Sequence, residues 1–195
     1  GSTADNATVI GALHEARLGR RILATVVDAN AVQQSWVAGV GGIFEGELGS
    51  SLDGRWGHPA RFHGVVTGLG DSPVVLRGRA MEGQEISLGR WATVEDEFGL
   101  AVLVTEHPAP TFDPEAFVHV GLDPTAADVI VVRSATLFRD GYEGIYDAAY
   151  ILDLPGPSTP NLKLLDFQRI PRPMYPFDDF EEGAETAASR EDAHA

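Results

Sequence analysis

Apolar and polar positions along this chain follow two rhythms, one helical and one β. Val9, Ile10, Leu13 and Ala16 recur at helical spacing, so a helix is predicted over 8–18, with Asp5 as N-cap and Gly19 as stop. Arg21 to Asp28 (RILATVVD) is an unbroken apolar, β-branched run, which suits a buried strand. Helical spacing returns at Val32, Trp36 and Val37 and ends at Gly39, Gly41 and Gly42. Ile43 to Leu48 then alternates as a strand. The order to this point is helix, strand, helix, strand.

The middle of the chain reads differently. Arg61 to Thr67 and Val74 to Arg79 are short strands about the Gly70–Pro73 turn, and Arg90 to Val94 and Leu100 to Thr105 are a second pair about Phe98-Gly99. This predicts an antiparallel section. Alternation of helix and strand then resumes: a short helix from Asp113-Pro114 through Phe117 and Val120, a buried strand over Asp128 to Val132, a helix over Thr136 to Tyr146 and a strand over Ala149 to Leu154. Pro155-Gly156-Pro157 breaks the chain, and Pro171, Pro173 and Pro176 keep the C-terminal segment extended. The expected fold class is α/β (mixed α+β): a mixed sheet flanked by helices, with an inserted antiparallel β section and an extended Pro-rich C-terminal strap. Residues 1–180 form one domain on this reading, and the acid-rich 181–195 a disordered tail.

Composition narrows the function classes. A chain of 195 residues with 44% hydrophobic and 22% charged residues can bury one ordinary core. Its net charge is −15 and Lys163 is its only lysine, which opposes binding to the phosphates of nucleic acid or to anionic membranes. With no cysteine, disulfides and thiolate metal sites are excluded; the expected location is the cytoplasm. No apolar run approaches the ~20 residues of a membrane helix, and no secretory leader pattern stands at the start. The chain opens on Gly1-Ser2 with no initiator Met and enters a helix almost at once, so it reads as a piece of a longer protein.

Candidate chemistry is sparse. His14, His58, His63, His107, His119 and His194 show no HxH or HExxH spacing, and they read as scattered surface or loop residues rather than as a zinc site. Ser134 follows a buried strand without a GxSxG frame; it or Thr136 is expected to cap the next helix, with a substrate or anion contact as the alternative. Arg133, Ser134 and Arg139 would gather at the carboxyl end of that strand, beside a helix N-terminus, where a substrate carboxylate or a partner domain could be held; ordinary salt bridging is the plainer reading. Arg172, near Arg169 in the one basic cluster of note, joins the same substrate- or interface-binding set. Tyr175 and Phe177 would pin the strap to the core or to another domain. Trp56, between Gly54 and Gly57, is read as a packed loop tryptophan, with pocket lining as the alternative.

Three pieces of the C-terminal third stand in a recognisable order: VVRSATLF at Val131 to Phe138, DLPG at Asp153 to Gly156, and LLDFQRIPRPMYPFD at Leu164 to Asp178. They resemble the VKS-x-x-HFR-like, PG-turn and RPIYPLD-like stretches of the C-terminal domain of the MlrC family, associated with bacterial microcystin breakdown. Ala4 to Thr8, the Ala38 to Gly42 turn and LGSSLDGRWGHP at Leu48 to Pro59 are similar to family segments as well. The resemblance covers about residues 1–180 and is densest over 128–178.

What the resemblance implies is a two-domain parent protein. Its N-terminal catalytic domain, absent from this chain, binds zinc through His and acidic residues; the parent is a metallopeptidase or amidohydrolase for small or cyclic peptides, with the metal polarising a carbonyl and activating water. Zinc is then a cofactor of the parent and not of this chain. Asp5 would lie near the junction of the two domains, and this chain would shape the cleft. Arg133 stands where the family has Lys, Leu137 where it has His, and Asp166-Phe167 where it has a Pro-Tyr pair. The alternative reading is a stand-alone or degenerate non-catalytic domain for ligand capture or homo-oligomerisation.

Overall fold

The structure, a computed structural model, describes residues 4–52, 54–134, 136–154, 156 and 161–178. The acidic tail read over 181–195, and parts of the break at Pro155-Gly156-Pro157, lie outside the described residues. The chain forms two compact units, 1–156 and 157–195.

The larger unit is built on helix α1 (Thr8–Ala16), strand β1 (Ile22–Val27), helix α2 (Ala29–Ala38) and strand β2 (Ile43–Leu48), in the order the apolar rhythm predicts. Strand β3 (Ala60–Gly70) follows, then β4 (Val74–Val75), β5 (Glu85–Ile86), β6 (Trp91–Glu95) and β7 (Leu100–Thr105). Helix α3 (Glu115–Val118), strand β8 (Val129–Ile130) and helix α4 (Phe138–Gly141) complete the unit. Six strands make one mixed sheet in the order β2-β3-β6-β7-β1-β8. Strand β1 is parallel to β7 on one side and to β8 on the other; the remaining pairs are antiparallel.

Every residue of β1 and of β7 is buried, because both faces of the sheet centre are covered. On one face α1 and α2 pack Ile10, Ala31 and Val32 against Ala24, Val26, Val102, Val104, Phe44 and Phe62. The other face holds Leu23, Ala101 and Leu103 against Leu76, Leu88, Trp91 and Phe117. Side chains such as Phe44 and Phe117 each contribute about 2–3 kcal/mol by leaving water. Strand β3 instead alternates buried Ala60, Phe62, Gly64 and Val66 with exposed neighbours along its first half, the pattern of one covered face.

The antiparallel section departs from the expected pairing. Strand β3 does not form a hairpin with β4; it pairs with β2 along its first half and with β6 along its second, with an irregularity between Val66 and Gly68. Val74-Val75 pairs with Glu85-Ile86 in a separate two-stranded ribbon. The β6–β7 hairpin about Phe98-Gly99 forms as the pattern predicts: Asp96 Oδ1 accepts the Phe98 and Leu100 amides at 2.8 and 2.9 Å, and Gly99 supplies a φ of +94° where a Cβ would strike the Arg20 carbonyl.

Beyond β8 the prediction fails in a consistent direction. The helix expected over 136–146 shrinks to the four residues of α4, and 149–154 forms no strand. The smaller unit, where described, holds a 3-10 turn at Leu162–Leu164 and a turn in which the Phe177 and Asp178 amides donate to the Met174 carbonyl at 2.9 and 3.1 Å.

Candidate functional site

The carboxyl ends of β1, β7 and β8 lie side by side, and residues near them, together with the entry segment before α1, make a bonded polar cluster. Its first component is Asp28, the residue that ends β1. Oδ1 caps α2 by accepting the Asn30 and Ala31 amides, both at 3.0 Å, and Oδ2 accepts the Gly49 amide at 2.9 Å. One buried carboxylate thus joins the β1–α2 corner to the end of β2. Gly49 has φ +73°, and a Cβ there would lie 2.3 Å from the Asp5 carbonyl, so only glycine fits.

The second component is the segment 4–6, which is drawn along the end of the sheet when the Val27 amide donates to the Ala4 carbonyl at 3.1 Å. Asp5 is buried; its carbonyl accepts the Ser50 amide at 2.6 Å and its Oδ2 the Leu52 amide at 3.0 Å. Asn6 donates from Nδ2 to the Trp56 carbonyl at 2.6 Å. The loop 49–57 is therefore fastened to the entry segment at three points. Asp5 is not the N-cap of α1, as the sequence suggested. Ala7 holds that position, and Asn6 Oδ1 accepts the Thr8 amide at 2.9 Å instead. Ala4 and Asp5 are instead bonded to β1 and to the loop.

Arg133 is the third component. Its Nε and Nη2 donate to the Thr25 carbonyl at 3.1 and 3.0 Å, and Nη2 also reaches the Asn6 carbonyl at 2.6 Å. Its own amide donates to Thr111 Oγ1 at 2.8 Å. Burial drags the guanidinium down from its ordinary value, and the charge of Asp5 opposes that shift. An arginine still stays charged, and its planar fork spans the Thr25 and Asn6 carbonyls at once. Arg133 is thus a clamp between β1, the entry segment and the strand end, turned inward to the backbone. Tyr142 extends the network: it is buried, donates to the Thr111 carbonyl at 3.1 Å, and has its hydroxyl pushed up by burial and then by the charge of Asp113.

Ser134, Arg139 and Arg172, the other expected site residues, have surroundings of their own. Ser134 is half-buried just after it, but neither Ser134 nor Thr136 caps α4, whose N-cap position is Leu137 with no side-chain bond. A four-residue helix also supplies little dipole for an anion. Arg139 is exposed, with its guanidinium 5.1 Å from the ring of its neighbour Phe138, so it does not converge with Arg133. Arg172 belongs to the smaller unit, where it donates to Asp178 Oδ1 at 2.5 Å and lies over the Phe177 ring at 5.6 Å. Trp56 is half-buried, with Arg55 over its ring at 5.8 Å. The sequence reading brought Asp5 and Arg133 into the set but missed Asp28, Asn6 and Thr111. Asp28 was detectable: an Asp that ends a buried strand directly before a helix is an N-cap signature.

Among the described residues no three His, Asp or Glu side chains stand close enough to hold one metal ion. His14 Nδ1 meets the buried Asp96 Oδ2 at 2.8 Å and its ring lies 4.6 Å from Phe62; His119 Nε2 meets Ser72 at 3.1 Å; His58, His63 and His107 are exposed; His194 is outside the described residues. The residues described here do not fit a catalytic metal, and no step of metal chemistry is assigned to them. Two cavities, of about 250 Å³ at Val118, Gly121, Leu122 and Asp123 and about 220 Å³ at His14, Arg17, His63, Asp96, Glu97 and Phe98, lie away from the Arg133 clamp. No helix among the described residues is long and apolar enough to cross a membrane.

Comparison with known proteins matches residues 1–169 to the sequence model of the family described as MlrC C-terminus. A Sphingomonas sp. protein named Microcystinase C is 24% identical over 178 residues, which cover 91% of this chain and 33% of that protein. A crystal structure from Mesorhizobium sp. BNC1, described as a candidate metallopeptidase, superposes with a TM-score of 0.81 at 23% identity, over 92% of this chain and 35% of the other. The fold is shared with that structure, and the chain spans about a third of the length of each of these relatives.

Proposed function

The chain belongs to the MlrC C-terminus family, and from that premise we propose that it is the cleft-shaping and structural C-terminal domain of an MlrC-like, zinc-dependent peptidase or amidohydrolase. The catalytic zinc is held by the N-terminal domain of the longer protein. The observation that carries this reading is the family match over 1–169 in a chain that spans only a third of its relatives. The domain extends over 1–180, followed by the acidic tail, and the protein works on small or cyclic peptides in the cytoplasm, consistent with a chain that has no cysteine.

The part played by the site follows from its bonds. Asp5, Asn6 and Arg133 fix the entry segment and the loop 49–57 at one end of the sheet. That rigid end is what a preceding catalytic domain would rest on, and it would set the position of the loop against the substrate. Ser134, Arg139 and Arg172 are the remaining candidates for contact with substrate or with that domain.

A second reading has its own support. Arg133 is occupied by backbone carbonyls, and an exposed Leu137 stands where the family carries His. These favour a degenerate domain kept for ligand capture or oligomerisation. The test is metal analysis of the full-length protein and of the 195-residue chain, with a peptidase assay on a small cyclic peptide. One zinc per full-length chain and none in the short chain is the expected result. Stoichiometric zinc in the short chain, or a coding region that begins at residue 1, overturns it; a full-length protein with zinc but no hydrolysis favours the second reading.

A further inference from the structure

The segment after β8 is rooted in the body of the larger unit and then leaves it. Phe138 and Tyr142 are buried, and Tyr142 is bonded to Thr111, the same residue that receives the Arg133 amide. Eight residues later Tyr150 is 86% exposed, Ile151 65% and Leu152 59%. These three are consecutive, and they sit in the run Ala149 to Leu154 whose composition predicts a strand. In the structure they pair with no strand of the sheet. Consecutive large apolar side chains of this exposure are uncommon on a free surface and mark a contact face.

Two further observations say what covers it. Relatives of this chain are about three times as long, and the matching family is named for a C-terminus, so the unmatched two thirds precede this domain. On the two-domain reading a preceding domain would join the chain ahead of Ala4, whose carbonyl meets the Val27 amide, and Arg133, a few residues before α4, is bonded to Asn6 beside it. The exposed run follows this bonded segment in sequence, beginning seven residues after Tyr142. Asp147 and Asp153 flank the run and give it an acidic border.

We propose that residues 149–152 are a docking segment, and that Tyr150, Ile151 and Leu152 insert into an apolar groove with a basic rim on the N-terminal domain of the same chain. This rests on the reading of the protein as a two-domain member of its family. The groove makes the final part of this domain a clasp on the catalytic domain.

The chain has no cysteine, which offers a direct probe. In the full-length protein, Ile151→Cys and, as reference, Val37→Cys on α2 (78% exposed) are each labelled with a maleimide, and the rate at each site is read by mass spectrometry of its peptide. Ile151→Cys is expected to react about 100-fold more slowly than Val37→Cys in the full-length protein, with equal rates in the 195-residue chain. Equal rates in the full-length protein overturn the proposal. Slow labelling that speeds up on dilution, together with a dimeric mass, also overturns it, in favour of a second copy as the occupant. Loss of the two-domain reading is separately visible, as a coding region without the preceding domain; slow labelling in a full-length protein that lacks zinc leaves the clasp standing and removes only the assigned chemistry.

Discussion

Tyr142 and Tyr150 carry the same side chain eight residues apart; one is 2% exposed, the other 86%. The contrast extends to the regions around them. Up to Arg133, the apolar runs at 22–27, 43–48, 91–95 and 100–105 become strands of the sheet as predicted, while the strand expected over 74–79 and the buried strand expected over 128–132 shrink to Val74–Val75 and to a partly exposed Val129–Ile130. After Arg133, Ala149 to Leu154 is composed like a strand and makes none. Hydrophobic pattern states a demand for burial, and the demand is met only where another element supplies the cover. The unmet demand in the last part of the larger unit is therefore information about the rest of the protein.

Mutations that cut into the covered region should show how much it holds. Phe44→Ala removes a fully buried ring packed beneath α1 and α2 and is expected to destabilise the chain by about 4 kcal/mol in urea unfolding. The next largest effect is at the clamp. Arg133→Met removes the guanidinium donors to the Thr25 and Asn6 carbonyls and its favourable charge interaction with Asp5, at a cost of about 3 kcal/mol. Arg133→Lys retains the charge but not the fork, and about half that loss is expected. If both variants unfold at the wild-type urea midpoint, Arg133 is not a structural clamp.

The same contrast accounts for what the sequence made legible. The runs at 22–27 and 100–105 are apolar without interruption, which only a strand covered on both faces requires, and both were placed within a residue or two. Pairing was less accessible: Val74-Val75 has strand composition, but its partner is Glu85-Ile86 rather than β3, and nothing local in two valines selects between them. At the site, Arg133 was found by its place after a strand, yet its direction was not. Whether an arginine points outward to a ligand or inward to carbonyls depends on residues more than a hundred positions away in sequence, Thr25 and Asn6. Asp5 was given to the helix that follows it, a local choice that the long-range bonds to Ser50 and Leu52 overrule.

A smaller, pH-dependent effect lies at the β7 end. Glu106 accepts the Arg90 amide at 2.8 Å and the Arg90 guanidinium at 2.9 Å. The backbone hydrogen bond from Arg90 is the largest cause of a pKa held below the ordinary value of 4.5, against the opposing effect of burial. A carboxyl group lowered on folding stabilises the native state above that ordinary value and loses the contribution as pH falls through its lower folded value. Glu106→Gln should therefore cost about 0.5–1 kcal/mol at pH 7. In acid the two proteins should converge, and a constant gap across a series of urea titrations down to pH 2 would show that the group does not titrate with folding.

The smallest expected effect is the most telling for the comparison. Ile151→Ser in the 195-residue chain removes a large apolar side chain and should change stability by less than about 0.5 kcal/mol, because a side chain already 65% in water has little transfer free energy to lose. An aliphatic residue of the covered region, such as Leu103, should cost several times more on truncation to Ala, about 3 kcal/mol. Urea unfolding of the two variants measures the ratio directly. A loss near 2 kcal/mol from Ile151→Ser would place that side chain against this domain's own core and remove the reason for seeking its cover elsewhere. A negligible loss leaves a strand-like apolar run that this domain neither needs nor hides, and the selective value of such a run must then lie in what it touches in the longer protein.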